Sequence, residues 1–155
     1  MIIKYYEANK ISLDENKFLL FYGKNDGHKT EITENLIKSR QNILTYEEKE
    51  ILDNSNDFIE SLISKSLFES EKIIIIKRAT DKILKIFENI ISKNINDLNI
   101  IINADNLEKK SKLRTYFEKD KKFVCVAFYP DNEQTLFKLA YNFLKGKKSQ
   151  YLHQI

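Results

Sequence analysis

The residues best suited to chemistry lie in the stretch FYGKNDGHKT. A phosphate-binding loop follows a buried strand and reads G-x-x-x-x-G-K-[ST], so that backbone N–H groups and the lysine close on phosphate while the hydroxyl binds magnesium. Gly23, Lys29 and Thr30 are in register with that pattern. The second glycine falls one position early, at Gly27, and His28 takes its place. The motif alone leaves open a working nucleotide site and a loop that has lost its nucleotide.

A site that hydrolyses nucleotides also needs acidic residues at the end of a second strand, because magnesium must neutralise the charge of the transferred phosphoryl group. The strand predicted from IIII at 73–76 ends instead in Lys77 and Arg78. The displaced glycine and these two cations therefore favour a loop without nucleotide. In that interpretation Lys29 and Thr30 belong to a solvated first helical turn.

The sequence contains no other pattern typical of a catalytic or metal site. The two histidines, His28 and His153, are far apart and lack the spacing of metal ligands. Cys125 is the only cysteine and lies in the apolar run FVCVAF, so we interpret it as a buried side chain rather than a nucleophile. The G-x-S-x-G pattern of serine hydrolases is missing as well. We therefore predict a binding protein.

Length and composition exclude several classes of protein. A chain of 155 residues is long enough for one domain with its own hydrophobic core. The net charge of +3 is the difference between 26 basic and 23 acidic residues, which by itself does not indicate nucleic-acid binding. No segment approaches the roughly 20 apolar residues of a membrane span, and the N-terminus MIIKYYEANK does not read as a signal peptide. We predict a cytoplasmic protein without membrane contact.

Short apolar runs alternate with segments of helical period, a pattern typical of an α/β fold built on a mostly parallel sheet. Five strands are predicted, from KFLLFY, residues 42–46, KIIIIK, LNIIIN and KFVCVAF. The isoleucine runs 73–76 and 100–102 are apolar on both faces, so we expect them on adjacent central strands with helices on both sides of the sheet.

The segments between these strands have apolar residues at helical spacing. The helix after the glycine loop has Ile32, Leu36 and Ile37 on one face. The next helix is predicted in the segment NDFIESLISK, where Asp57 and Glu60 have the spacing of a capping box. The last helix is predicted to follow Pro130 and to end at Gly146.

Three stretches resemble, in order and spacing, the N-terminal domain of the delta subunit of bacterial DNA polymerase III, the clamp-loader subunit that opens the β sliding clamp. They are FLLFYGKNDGHKTE, SLFESEKIIIIKRA and NADNLEKKSKLRTYFEK. The resemblance covers nearly the whole chain and implies a three-layer α/β/α domain of the P-loop NTPase-like, AAA+ type. It implies that the loop from Gly23 to Thr30, with Gly27, His28 and Lys29, is a degenerate P-loop without bound nucleotide, cofactor or metal.

The resemblance also divides the chain. Residues 1–146 correspond to the N-terminal domain, and residues 147–155 form a polar tail. The helical second domain and the C-terminal collar domain of the family are not among these residues. Assembly with the other clamp-loader subunits, gamma/tau and delta prime, is therefore expected only if those domains are supplied.

Leu67 and Phe68 form an apolar pair between polar residues. Leu67 lies four residues after Ile63 and has the spacing to continue a helix stripe into the core, whereas Phe68 is harder to bury by that rule. An apolar pair at a polar helix end is a reasonable anchor for a partner's hydrophobic pocket. The resemblance implies that Ser66, Leu67 and Phe68 bind the β clamp, with the Leu-Phe pair inserted as a wedge.

The run from Lys109 to Lys122 is rich in lysine and arginine. A solvated helix face is its simplest interpretation. The alternative is a weak contact with DNA phosphates, made by Lys109, Lys110, Lys112 and Arg114, which would depend steeply on salt.

These observations together predict a non-catalytic clamp-loader domain, associated with DNA-directed DNA polymerase activity only as part of the DNA polymerase III holoenzyme. Its partners are the β sliding clamp, the other loader subunits and, weakly, DNA. The alternative is a small P-loop NTPase or nucleotide kinase with an atypical phosphate loop. Clamp binding without nucleotide favours the first hypothesis, and specific protection by ATP against thermal unfolding favours the second.

Overall fold

A six-stranded, all-parallel sheet forms the centre of the fold in the computed structural model, which describes residues 1–65 and 70–152. The strands are β1 (Ile2–Lys4), β2 (Phe18–Tyr22), β3 (Ile43–Glu47), β4 (Lys72–Ala79), β5 (Leu98–Ala104) and β6 (Phe123–Ala127). Their order across the sheet is β1-β6-β2-β5-β4-β3. The strands β4 and β5 are neighbours inside the sheet, as predicted for the two isoleucine runs.

Helices connect the strands, because parallel strands need crossover connections of this kind. They are α1 (Asp26–Ile37), α2 (Glu48–Asp53), α3 (Ser55–Lys65), α4 (Leu84–Ser92), α5 (Lys112–Lys119) and α6 (Glu133–Leu152). Short 3-10 turns at Tyr5–Lys10 and Asp81–Ile83 complete the regular structure. Within the described residues, no helix combines the length and the apolar character needed to cross a membrane.

The sheet buries side chains on both faces, because successive residues of a strand point to opposite sides. In β4, Ile74 and Ile76 pack in the cluster covered by α3, α4 and α5. Ile73 and Ile75 pack in the other cluster, with Ile32 of α1. The predicted α/β fold with helices on both faces is confirmed.

The predicted number of five strands is wrong by one, since β1 adds a sixth. It has three residues and pairs with β6 at the edge of the sheet. The N–H group of Cys125 donates to the carbonyl of Met1 at 2.9 Å. Three residues are too few for the period-2 pattern of a strand to be detected in the sequence. The strand β1 is therefore identified by its pairing with β6 in the structure.

Two predicted helix boundaries are also wrong. The helix α3 begins at Ser55, so Asp57 lies in its first turn, and the capping box is formed instead by Glu47 and Glu50 at the start of α2. The helix α6 continues through Gly146 to Leu152. Glycine inside a helix costs only about 1 kcal/mol relative to alanine, so the residue alone does not end one.

The helix α6 begins at Glu133, shortly after the predicted start at Pro130 and Asp131, and its large apolar side chains are exposed. Asn132 caps it by accepting a hydrogen bond from the N–H group of Thr135 at 2.9 Å. The exposed side chains include Leu136 and Phe137, with exposed fractions of 53% and 73%. This pair has the same composition as Leu67-Phe68 and provides a matched control for it.

Candidate functional site

The glycine loop connects β2 to α1 at the carboxyl end of the sheet. Gly23, Lys24 and Asn25 form the connection, and α1 already begins at Asp26. The side chain of Asn25 caps this helix by accepting a hydrogen bond from the N–H group of His28 at 3.1 Å. The last five residues of the eight-residue phosphate motif are therefore helical, and only its first three form a loop.

The N–H groups of Gly23 and Asn25 in this loop are hydrogen-bonded within the protein. The Gly23 N–H donates to the carbonyl of Asp105 at 3.0 Å, and the Asn25 N–H donates to the carbonyl of Phe128 at 3.3 Å. The side-chain amide of Asn25 donates to the carbonyl of Tyr129 at 3.0 Å. In a phosphate-binding loop such donors point at the ligand. Here carbonyl groups that follow β5 and β6 accept these hydrogen bonds.

His28, which replaces the second glycine of the motif, packs among aromatic side chains. Its ring meets that of Phe128 edge-on, with centroids 5.0 Å apart, and that of Tyr5 at 5.9 Å. Tyr5 in turn meets Tyr129 at 6.4 Å. Such edge-to-face pairs contribute about 0.5–1.5 kcal/mol beyond their buried area. The imidazole therefore attaches α1 to the segments that follow β1 and β6.

Lys29 is buried, with an exposed fraction of 6%, whereas Thr30 is exposed. The predicted solvated turn is thus wrong for Lys29. Its ammonium group donates to the carbonyl of Ala104 at 2.8 Å and pairs with the carboxylate of Asp26 at 3.0 Å. A buried ammonium group needs such partners to compensate its lost hydration. The lysine that would contact phosphate in a nucleotide site instead ties α1 to the end of β5.

Replacing Lys29 by methionine is expected to lower the free energy of unfolding by about 1–3 kcal/mol, because the buried carbonyl of Ala104 loses this donor. The same replacement of Lys24, an exposed lysine of the loop, should change it by less than about 0.5 kcal/mol. Urea unfolding of the parent and both variants measures the difference. Equal stability of the two variants would contradict a structural role for Lys29.

Lys77 and Arg78 lie near the end of β4, where a nucleotide-hydrolysing site would have acidic residues. Both are exposed, and the Nε of Arg78 donates to the carboxylate of Glu47 at 2.7 Å. They line a cleft of about 490 Å³ together with Lys29 and Thr30. Over residues 1–65 and 70–152, no group of three or more histidine, cysteine, aspartate or glutamate side chains has an arrangement that could hold a metal ion.

The basic residues proposed to contact DNA fall into two groups. Lys109, Lys110 and Lys112 are exposed beside or within the first turn of α5. Lys110 lies 3.1 Å from the carboxylate of Glu108, an exposed pair of little energetic weight. These three lysines are available at the surface, and Arg114 differs from them.

Arg114 is engaged in contacts within the fold. Its Nε donates to the carboxylate of Glu118 at 2.7 Å, and its Nη1 donates to the carbonyl of Leu107 at 3.1 Å. The guanidinium group also lies over the ring of Tyr22, 5.1 Å from its centroid. Burial, more than any nearby charge, raises the pKa of Tyr22 to about 12, so the phenol is neutral beneath the cation. These contacts leave the three lysines as the accessible part of the proposed DNA surface.

Asp81 positions the basic helix α5. Its carboxylate accepts hydrogen bonds from the hydroxyl of Ser111 at 2.5 Å and from the N–H groups of Lys112 and Leu113, each at 3.1 Å. Burial acts to raise the pKa of Asp81, but these hydrogen bonds outweigh it and lower the pKa. A carboxylate is favoured at a helix N-terminus, so Asp81 stabilises the first turn that presents Lys112.

Ser66, Leu67 and Phe68, the residues expected to bind the clamp, lie outside the described residues. The helix α3, which precedes them, is described up to Lys65. Phe58, Ile59 and Leu62 of α3 are buried in the core. Ile63, in contrast, is 40% exposed. The apolar stripe of α3 therefore reaches the protein surface at Ile63, four residues before Leu67 in the sequence.

Several residues that shape this site were not found from the sequence. Asparagine is a preferred N-cap, so the spacing from Asn25 to His28 is the one signal that could have placed the start of α1. The carbonyl acceptors of Ala104, Asp105 and Phe128 had no signal, because any residue type carries a backbone carbonyl. Their role follows only from the arrangement of the strands.

A family model described as DNA polymerase III, delta subunit, matches residues 19–127. The matched range extends from β2 to the end of β6. It includes the glycine loop, the connection between α3 and β4, and the basic helix α5. A comparison with curated proteins finds no match.

Proposed function

Because the chain belongs to the DNA polymerase III delta subunit family, we propose that it binds the β sliding clamp and opens it during DNA replication. The family match is the observation that carries this proposal, since it covers most of the sheet and its connections. The role of a clamp-loader delta subunit comes with membership of the family. The finer statement is that Ser66, Leu67 and Phe68 make the clamp contact.

Opening the clamp in this way requires no chemistry from the chain itself. A protein that binds the open form of the clamp more tightly than the closed form shifts the population toward the open form. The free-energy difference between the open and closed forms can change by no more than the difference between the two binding free energies. An apolar anchor such as the Leu-Phe pair is a suitable source of that difference, since a few buried side chains carry most of the free energy at protein interfaces.

The contacts of the glycine loop support a non-catalytic role. The N–H groups of Gly23 and Asn25 donate to the carbonyls of Asp105 and Phe128, and the Lys29 side chain donates to the carbonyl of Ala104. A nucleotide would have to displace these internal acceptors before it gained its own hydrogen bonds. We infer that no nucleotide binds here, and that ATP hydrolysis and DNA synthesis belong to other chains of the holoenzyme.

The remaining partners follow from the same proposal. We propose that the chain works in the cytoplasm with the gamma/tau and delta prime subunits, through further domains of the family. DNA is a weaker candidate partner, at the exposed Lys109, Lys110 and Lys112. Phosphate contacts of this kind should weaken steeply with salt, whereas an apolar clamp contact should not.

A titration of labelled β clamp with this chain tests the proposal directly. We expect saturable binding in the absence of nucleotide, with a dissociation constant that changes little between 50 and 300 mM salt. The clamp protein saturated beforehand with an unlabelled delta subunit is the control for specificity. Absence of binding by the folded chain would overturn the proposed function.

Addition of Mg-ATP is expected to leave the melting temperature unchanged. A site with a dissociation constant of about 10 μM would stabilise the native state by about 2.7 kcal/mol at 1 mM ATP, because a ligand that binds only the native state stabilises it by mass action. For a chain of this size that corresponds to a rise of roughly 5–10 °C. Thermal unfolding with ATP and with ADP measures it. A rise specific to ATP would support the alternative, a P-loop NTPase or nucleotide kinase.

A further inference from the structure

The strand β3 forms one edge of the sheet and presents backbone groups outward. Among the strands of the described residues, it pairs with β4 alone. The N–H group of Ile73 in β4 donates to the carbonyl of Asn42 at 3.1 Å, so the backbone of Asn42 faces β4. Since alternate residues of a strand bond to the same neighbour, the backbone N–H and C=O groups of Ile43 and Thr45 point away from the sheet.

This edge lacks the features that usually prevent a sheet from pairing with another chain. Natural edge strands are protected by lysine or proline residues, by bulges or by being very short. The five residues of β3, ILTYE, include neither lysine nor proline, and their register against β4 is regular. Their only charged residue is the last, Glu47, whose N–H group already donates to the carboxylate of Glu50 at 2.9 Å. The first part of the edge is therefore suited to accept a further strand.

A groove of about 590 Å³ lies beside β3 and is lined by this strand and by the helices α2 and α3. The ring of Tyr46 in β3 meets that of Phe58 in α3 edge-on, with centroids 5.0 Å apart, and both residues line the groove. Three exposed acidic residues also line it, Glu50, Asp53 and Asp57. Among the described residues around the groove, none is basic. The groove therefore combines an aromatic wall with negative charge.

We propose that the edge of β3 and this acidic groove bind an extended, arginine-containing segment of a partner protein by β-strand addition. In this mode of recognition, main-chain hydrogen bonds to the edge provide affinity, and alternate side chains of the added strand enter neighbouring pockets. Arginine suits the groove, because its guanidinium group pairs with carboxylates and stacks on aromatic rings. The surface does not include the residues of the proposed clamp contact.

The charge of the groove favours such a segment over a second copy of this chain. Two copies joined through their β3 edges would bring two acidic grooves to one interface, and like charges placed opposite each other oppose association. A segment that carries arginine instead supplies the complementary charge. Because the acidic residues are exposed, the attraction should weaken as the salt concentration rises.

The test measures binding of a short labelled peptide in which arginine alternates with valine, compared with the same peptide carrying glutamate in place of arginine. We expect saturable binding of the arginine peptide only. Amide hydrogen exchange at Ile43 and Thr45 should slow by roughly tenfold or more in the complex, because these N–H groups become hydrogen-bonded. Absence of saturable binding, equal binding of the two peptides, or binding without this protection would overturn the proposal.

Two sets of variants separate the backbone contacts from the charge. Thr45→Pro removes an outward N–H group at a position where an edge strand tolerates proline, and it should weaken peptide binding by roughly tenfold. Thr45→Val keeps that N–H group and should bind within about twofold of the parent. Asp53→Asn with Asp57→Asn should also weaken binding by roughly tenfold. Glu34→Gln with Glu60→Gln removes two exposed carboxylates outside the groove and should change binding by less than about twofold.

The carboxylate variants decide the test if Thr45→Pro fails to fold. Peptide binding that neither Thr45→Pro nor the Asp53 and Asp57 pair weakens would place the peptide elsewhere and overturn the proposal. Sedimentation of the parent chain detects the other occupant, since a dimer that Thr45→Pro abolishes would mean that a second copy covers this edge. None of these measurements involves the clamp, so failure of this proposal leaves the proposed function unchanged.

Discussion

Replacement of both Leu67 and Phe68 by alanine is expected to weaken clamp binding by about 30-fold or more, because truncating an anchor at an interface centre costs roughly 2 kcal/mol or more. The physical reason is the loss of apolar surface that would be removed from water in the clamp pocket. Isothermal titration of the clamp with parent and variant measures the two dissociation constants. The single variants should each show part of the effect, and their sum need not equal that of the double variant.

The same double variant is expected to unfold close to the parent's melting temperature. The core-facing positions of α3 are already filled by Phe58, Ile59 and Leu62, and the stripe reaches the surface at Ile63. Truncation of core residues typically costs about 2–5 kcal/mol, whereas most surface substitutions stay within about 0.5 kcal/mol. Thermal and urea unfolding of the variant distinguish these two ranges.

Two controls distinguish specific binding by the Leu-Phe wedge from nonspecific hydrophobic or electrostatic attraction to the clamp. Leu136→Ala with Phe137→Ala removes an exposed Leu-Phe pair of identical composition from α6 and should leave clamp affinity within about twofold of the parent. Lys109→Ala with Lys110→Ala removes two exposed cations and should also have little effect at physiological salt. A Leu67/Phe68 double variant that unfolds, or that binds the clamp as tightly as the parent, would remove these residues from the mechanism.

The central strands were predictable from the sequence because they are buried on both faces. Ile73–Ile76 form an unbroken apolar run. Such a run is typical of a parallel strand covered by helices on both faces, whereas a strand with one face in solvent alternates apolar and polar residues. The edge strand β1 was missed because its three residues, in the part of the chain that the structure describes, pair with β6 alone and have no such constraint. The six-residue helix α2 was missed for a related reason, since it is too short for a helical period to repeat.

The glycine loop was predictable in part. The register of Gly23, Lys29 and Thr30 located the loop between a strand and a helix, and the displacement at His28 was reason to doubt a nucleotide site. The direction of the Lys29 side chain was not predictable, because its acceptor is the carbonyl of Ala104, 75 residues away in sequence. Such contacts depend on which strand ends are neighbours, and local spacing does not contain that information.

Replacement of Gly23 by alanine is expected to destabilise the protein strongly, although the residue also belongs to the phosphate motif. Its φ angle is +111°, a conformation that side chains with a Cβ rarely adopt. A Cβ atom at this position would lie 2.2 Å from the backbone carbonyl oxygen of Phe128, which the hydrogen bond from Asn25 holds in place. Backbone strain of about 1–3 kcal/mol and overpacking of about 1–3 kcal/mol together predict a loss of roughly 2–6 kcal/mol.

Gly27 provides the matched control, because it is the other glycine of the motif and lies in the first turn of α1. The nearest atom to a Cβ at this position is the side-chain Oδ1 of Asn25, 3.9 Å away, an ordinary contact distance. Alanine is favoured over glycine in a helix, so Gly27→Ala should be neutral or stabilise the protein by up to about 1 kcal/mol. The two substitutions are thus expected to change stability in opposite directions.

Urea unfolding of both variants at one pH measures the two changes in free energy. A large loss of stability for Gly23→Ala with none for Gly27→Ala would mean that position 23 requires glycine because the loop packs closely against Phe128, and not because it binds a phosphate. Two equally tolerated substitutions would show that the loop can move away from Phe128. In that case the hydrogen bonds that occupy its N–H groups would no longer argue against a nucleotide.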